Sequence, residues 1–250
     1  MEDRGTASYL AEFIGTLMLV LFISLAVCEF VTLPTQAQPS PFIDWTVIGL
    51  AHVFVLFLLI QTLAVVSGAH FNPAVTVAMA TLRQIKPADA LIYIVAQLAG
   101  AVAGALIVKL LLNNFANAEL VNFGAVGISD RLDGKLGLGM LAEFIGTFAL
   151  VFTIMGVAVD PRTDRALGPL AIGAALGLGV MVIGPLTGAG FNPARAFGPA
   201  LVSGEWGGAG DFLLAYVLAP CVGSVVAALA YFNLFITPGA KGSQGLEPVG

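Results

Sequence analysis

With 250 residues, 58% of them hydrophobic and only 10% charged, the chain has too few polar side chains to cover a soluble domain of its size, and a mean hydropathy of +0.97 points the same way. A net charge of −5 with no basic cluster argues against a nucleic-acid surface and against a polybasic lipid-binding segment. Cys28 and Cys221 both sit in apolar runs, so they read as small core residues rather than as a disulfide framework or a metal site.

Six apolar runs follow in chain order, over 9–30, 47–66, 88–112, 137–157, 167–186 and 212–236. Each is close to the ~20 residues a helix needs to cross a bilayer, which predicts an all-α membrane protein with six spans. The opening MEDRG lacks a basic n-region, so the first run is expected to be a retained span and not a cleaved signal. The links fall at about 31–44, 113–136 and 158–166, and the Gly- and Pro-rich polar end is expected to be a disordered tail over 237–250. Thirty glycines suit helices that approach closely, with Gly100 and Gly104, and again Gly173 and Gly177, at small-xxx-small spacing.

The chain repeats itself. AEFIGT at Ala11 returns unchanged 131 positions later at Ala142, and FNPA at Phe71 returns 120 positions later at Phe191. A looser echo links AQLAG at Ala96 with APCVG at Ala219, in the same order along the chain. Each half holds three spans, and an odd number turns the second half upside down relative to the first, which gives the inverted repeat that channels and transporters build around a midplane site. The expected division is an N-terminal segment 1–7, a first repeat 8–112, a connecting loop 113–136 on the outer side and a second repeat 137–236. With both ends in the cytoplasm, Arg4, Arg83, Lys86, Arg162, Arg165 and Lys241 lie inside and Lys109, Arg131 and Lys135 outside, which is the orientation that positive charge favours.

Within each repeat an Asn-Pro pair opens a helix inside an apolar stretch. Asn caps from the residue before, and Pro fits the first helical position because its N–H is not needed there. The ten residues from Pro73 to Leu82 make ~15 Å of helix, half a membrane. Two such half-helices entering from opposite faces would bring their N-termini together at the midplane, where irregular backbone is tolerated only if protein covers it or it lines a watery cavity. Asn72, Pro73 and Ala74, with Asn192, Pro193 and Ala194, are therefore the expected pore junction, with amide donors left for a passing molecule. Arg195 stands near the start of the second half-helix at membrane depth, an unfavourable place for a charge without a purpose, while Val75 fills the matching place in the first half.

SGAHFNPAVT from Ser67, TGAGFNPAR from Thr187 and the two AEFIGT segments resemble the aquaporins, or major intrinsic proteins, over nearly the whole chain. The resemblance implies an aquaporin-like fold of six spans plus two half-helices, a pore in every subunit, a homotetramer and no cofactor. It implies that Glu12 and Glu143 support the pore loops from behind, that His70 faces the inner vestibule, and that His52, Val180, Ala189 and Arg195 form the outer selectivity filter. That filter is similar to those of the plant tonoplast members, several of which also pass ammonia. Strict water channels carry Phe and His where this chain has His52 and Val180, and glycerol channels carry a larger aromatic wedge and an Asp where this chain has Ala196.

The reading is thus a passive, proton-excluding water channel, with ammonia or another small neutral solute as the alternative permeant and glycerol less favoured. The expected setting is an integral membrane protein of the cell membrane, or of the vacuolar membrane, with the lipid bilayer and no nucleic acid as partner. An enzyme is disfavoured because His52 and His70 have no nucleophile or carboxylate pair beside them. A coupled transporter would want a titratable or ion-coordinating group at its broken helices. A purely structural membrane protein would have no need of Arg195.

Overall fold

The computed structural model describes residues 4–36 and 41–237, so the tail expected to be disordered lies outside the described residues after Thr237. The first span, α1, runs Thr6–Glu29 and α2 Trp45–Ser67, joined by a two-stranded ladder of β1 Val31–Thr32 with β2 Phe42–Ile43. Asp44 starts α2 by accepting from the amides of Thr46 and Val47 at 3.1 and 3.2 Å. The half-helix α3, Pro73–Thr81, is followed by α4, Pro87–Leu112, and by a short α5, Ala116–Leu120, inside the connecting loop. The second half holds α6 Leu136–Ile154, α7 Gly168–Thr187, the half-helix α8 Pro193–Ser203, a short α9 Ala209–Phe212 and α10 Ala219–Tyr231.

Wider π turns lengthen two spans: Met155–Val159 continues α6, Leu213–Leu218 fuses α9 to α10, and Phe232–Ile236 ends the sixth span. Six helices, the last running from Ala209 to Ile236, are long and apolar enough to cross a membrane. Large apolar side chains point outward along them, Val65 at 91% and Leu110 at 80% exposure among them. In water such a surface would be an aggregation hazard; in a bilayer it is the solvated face.

The packing is unchanged when the halves are exchanged. Helix α1 lies against α2 and α4, as α6 lies against α7 and α10, and α2 meets α7 across the join. Each half-helix leaves its own repeat: α8 packs on α4, and α3 packs on α10. The expected glycine pairs are where spans touch most closely. A side chain at Gly100 or Gly104 would run into the backbone oxygens of Phe13 and Leu17 in α1, and one at Gly173 or Gly177 into those of Val53 and Gly49 in α2. Gly127, by contrast, has open space around its missing side chain. Gly100→Ala is therefore expected to destabilise the protein by about 1–3 kcal/mol through overpacking against backbone, seen as a lower melting temperature in detergent. Gly127→Ala should leave it unchanged.

Candidate functional site

The two interhelical loops fold alike because the same words write them. Helix α2 ends at Gly68 (φ 87°) and α7 at Gly188 (φ 76°), glycines that take the left-handed conformation without cost. Beyond them Ala69 and Phe71, and in the other half Ala189 and Phe191, hold positive φ of 49–53° despite their side chains. Such backbone persists only where its surroundings over-determine it.

Those surroundings are two buried carboxylates. The oxygens of Glu12 accept from the amides of His70 (3.0 Å) and Phe71 (2.7 Å), from the Ser67 hydroxyl (2.7 Å) and from the Gln97 side-chain amide (2.8 Å). Glu143 accepts from the amides of Gly190 (2.8 Å) and Phe191 (2.7 Å) and from the Thr187 hydroxyl (2.6 Å). The position of Gln97 is taken in the second half by Pro220, which offers no donor. Tyr93 and Tyr216, 123 positions apart, donate to the last carbonyls of α2 and α7, Ser67 and Thr187, both at 2.8 Å. The glycines of AEFIGT complete the fit: a side chain at Gly15 would overlap the fully buried ring of Phe71, and one at Gly146 that of Phe191. AEFIGT and FNPA are thus complementary surfaces, Glu binding the loop amides and Gly admitting the loop Phe.

The half-helices open at the same junction. The Asn72 oxygen accepts from the Ala74 amide at 2.9 Å, and the Asn192 oxygen from those of Ala194 and Arg195 at 3.0 and 3.2 Å. The amide groups of the two Asn residues cross between the halves: Asn72 Nδ2 donates to the Phe191 carbonyl (2.9 Å) and Asn192 Nδ2 to that of Phe71 (2.8 Å). One hydrogen of each amide thus fastens the junction, and only the second is left for the cavity.

That cavity, of about 160 Å³, runs past both Asn72 and Asn192, with His70 and Val159 in its wall as well as His52, Ala189 and Arg195. Val180 is fully buried and packs in the same apolar cluster as Ala189. The repeat pairs each outer polar residue with an apolar one: Ile172 stands where His52 would recur 120 positions on, and Val75 where Arg195 does. Both of these also line the cavity, so the His52 and Arg195 pair is not repeated by the other half. Leu19 with Leu150, and Leu56 with Leu176, supply a large apolar part of the remaining wall, which also holds His70.

At the polar end two groups have no hydrogen-bond partner among the described residues, His52 Nε2 and Arg195 Nε. His52 Nδ1 lies 2.7 Å from the Ile48 carbonyl, which can only accept, so Nδ1 carries the hydrogen and Nε2 of the neutral ring is an acceptor. Arg195 Nη1 donates to the Gly124 carbonyl at 2.8 Å, leaving Nε as a free donor. The opposite mouth is bordered by Ala158 and Val159, just before Asp160. The side-chain hydrogen bonds of Arg162 hold that carboxyl well below the usual range and tie the α6–α7 link in place. His70 Nδ1 sits 3.1 Å from the Thr76 hydroxyl. Sequence reasoning gave no part to Tyr93, Tyr216, Gln97 or Gly124; the two tyrosines share the 123-position echo and could have been found by extending it, while Gln97 meets Pro220 at that offset and Gly124 leaves no mark in sequence.

Fold and cavity together define a membrane channel for water or small solutes. The chain belongs to the major intrinsic protein family, whose profile matches residues 4–231 and whose aquaporin members are channels and not enzymes. It is 36% identical over 241 residues to aquaporin AqpM of Methanothermobacter thermautotrophicus, covering 90% of this chain and 96% of that one. It is 32% identical over 234 residues to the probable aquaporin TIP2-2 of Arabidopsis thaliana, covering 92% and 87%. The X-ray structure of the aquaglyceroporin from Plasmodium falciparum superposes with a TM-score of 0.77 at 27% identity, over 94% of this chain and 98% of the other.

Replacing Glu143 by Gln turns one acceptor into a donor facing donors, a loss of about 1–3 kcal/mol. Hydrogen exchange should therefore speed up at the Gly190 and Phe191 amides while His70 and Phe71, held by Glu12, stay protected.

Proposed function

We propose that this channel conducts water passively and excludes protons, with Asn72, Pro73 and Ala74 and their counterparts Asn192, Pro193 and Ala194 as its midplane junction. In this reading His52, Val180, Ala189 and Arg195 are the outer filter, and Glu12 and Glu143 keep the pore loops in shape. The observation that carries it is that two residues lining the cavity, His52 and Arg195, each keep a buried side-chain nitrogen, His52 Nε2 and Arg195 Nε, with no hydrogen-bond partner among the described residues. Water can donate to the first and accept from the second. Two half-helix N-termini and a guanidinium make the same passage repulsive to a cation or hydronium.

The homotetramer, the cytoplasmic placement of both ends, the cell or vacuolar membrane and the division of the chain at 8–112 and 137–236 belong to the same reading. In support, the charge asymmetry of the loops favours that orientation.

Proteoliposomes should shrink rapidly in a stopped-flow osmotic step while holding an imposed pH gradient. The proposal is falsified if the gradient collapses as quickly as the vesicles respond. Arg195→Val should keep water flow and let cations or protons leak, because the fixed charge and the donor are both lost.

Ammonia is the second permeant, favoured by the same couple: it donates to His52 Nε2 and accepts from Arg195 Nε, and the opposite wall is apolar. His52→Phe removes the acceptor and should lower ammonia flux by about tenfold, one lost hydrogen bond of about 1.4 kcal/mol at the barrier, with water flow much less affected. Ammonia flux indifferent to that change, or glycerol flux equal to that of water in the unmodified protein, would place the selectivity elsewhere.

A further inference from the structure

We infer that Lys109, remote from the cavity, is a positioning residue for the Arg195 side of the filter; the inference rests on the channel reading above. Arg195 has two anchors, its own helix α8 and the Gly124 carbonyl that receives Nη1 at 2.8 Å. The second anchor stands on unusual backbone: Asn122, Phe123 and Gly124 are three consecutive left-handed residues, with φ of 50°, 54° and 87°. Two of them carry side chains, and each such conformation costs about 1–3 kcal/mol unless its surroundings impose it.

The impositions can be named. Gly124 lies so close to Ser24 in α1 that an added Cβ would come within 2.9 Å of its hydroxyl, so the segment sits flush on the span. Phe123 is 8% exposed and buried with Cys28, Val108 and Ala118. Lys109, from the last turn of α4, sets its ammonium 5.6 Å from the centre of the Phe123 ring, within cation–π range. The same ammonium donates to the Val202 carbonyl at 3.0 Å, in the last turn of α8, where carbonyls lack helical partners and a cation is favourable. A lysine at the end of a span would ordinarily extend toward the headgroups. This one is used inside the protein, and it joins the far end of the helix that carries Arg195 to the loop that holds the Arg195 side chain. Removing the charge leaves both anchors of the guanidinium free to shift relative to each other, which widens the filter without touching its wall.

The test uses the full chain in proteoliposomes, comparing water with glycerol by stopped-flow scattering. Lys109→Met, which keeps the stem and removes the charge, is expected to leave water permeability within about twofold while raising the glycerol-to-water ratio severalfold. Lys109→Arg, which still donates and still stacks, should restore the ratio, and Phe123→Leu should raise it alone. In an Arg195→Val background Lys109→Met should add nothing, because its effect runs through Arg195. A readout independent of flux is hydrogen exchange, which should quicken at the Gly124 and Ala125 amides in Lys109→Met. An unchanged ratio with unchanged exchange, full additivity with Arg195→Val, or a loss of folded protein that Lys109→Arg does not repair would each overturn the assignment. An unmodified protein that passes no water would contradict the channel reading instead, and the exchange measurement would then decide the role of Lys109 by itself.

Discussion

Backbone amides and carbonyls cannot be left unpaired at the centre of a bilayer, and this chain breaks two helices there. Each break exposes the donors of a half-helix start and the strained loop before it, and each is answered by a single carboxylate brought in from a neighbouring span. Glu12 gathers four donors and Glu143 three, all within 3.0 Å. A buried carboxyl would be costly alone; here its oxygens pair with the loop amides that themselves need acceptors. The cavity exists because the loops do, and the loops keep their shape because those two acids are underneath them.

Symmetry in the scaffold makes its few violations informative. The halves agree in the carboxylates, the crossed Asn amides, the two tyrosines and the apolar wall. They disagree where His52 faces Ile172 and Arg195 faces Val75 across the repeat, and both polar members fall at the same end of the cavity. On the proposed reading, discrimination is concentrated where a donor and an acceptor are buried unpaired. Their desolvation has already been suffered by the fold, so a molecule that pairs with both recovers it, and one that pairs with neither does not.

The six spans, the inverted repeat and the junction were legible because they rest on long runs and on verbatim repetition, which survive reading one residue at a time. The positions of Asn72 and Asn192 were also legible, but not the destination of their amides: a donor reads the same whether it faces a lumen or the carbonyl of the opposite loop. Gly124 was illegible for a different reason. What it contributes is a backbone oxygen, which every residue has, and only the left-handed run that turns it toward Arg195 makes it particular.

The verbatim survival of AEFIGT and FNPA in both halves follows from their being two sides of one contact. Glu12 and Gly15 stand three residues apart on one face of α1, so the carboxylate that binds the Phe71 amide and the gap that admits the Phe71 ring are reached together. Thr16 adds a hydroxyl that is satisfied by the Glu12 carbonyl at 2.7 Å, as Thr147 is by that of Glu143, so neither threonine competes for the carboxylate. Changing the ring without the gap, or the gap without the ring, leaves either a void or an overlap against a loop already held in strained backbone. The remainder of each half can drift, as Gln97 against Pro220 and His70 against Gly190 show, provided that this one contact keeps both of its faces.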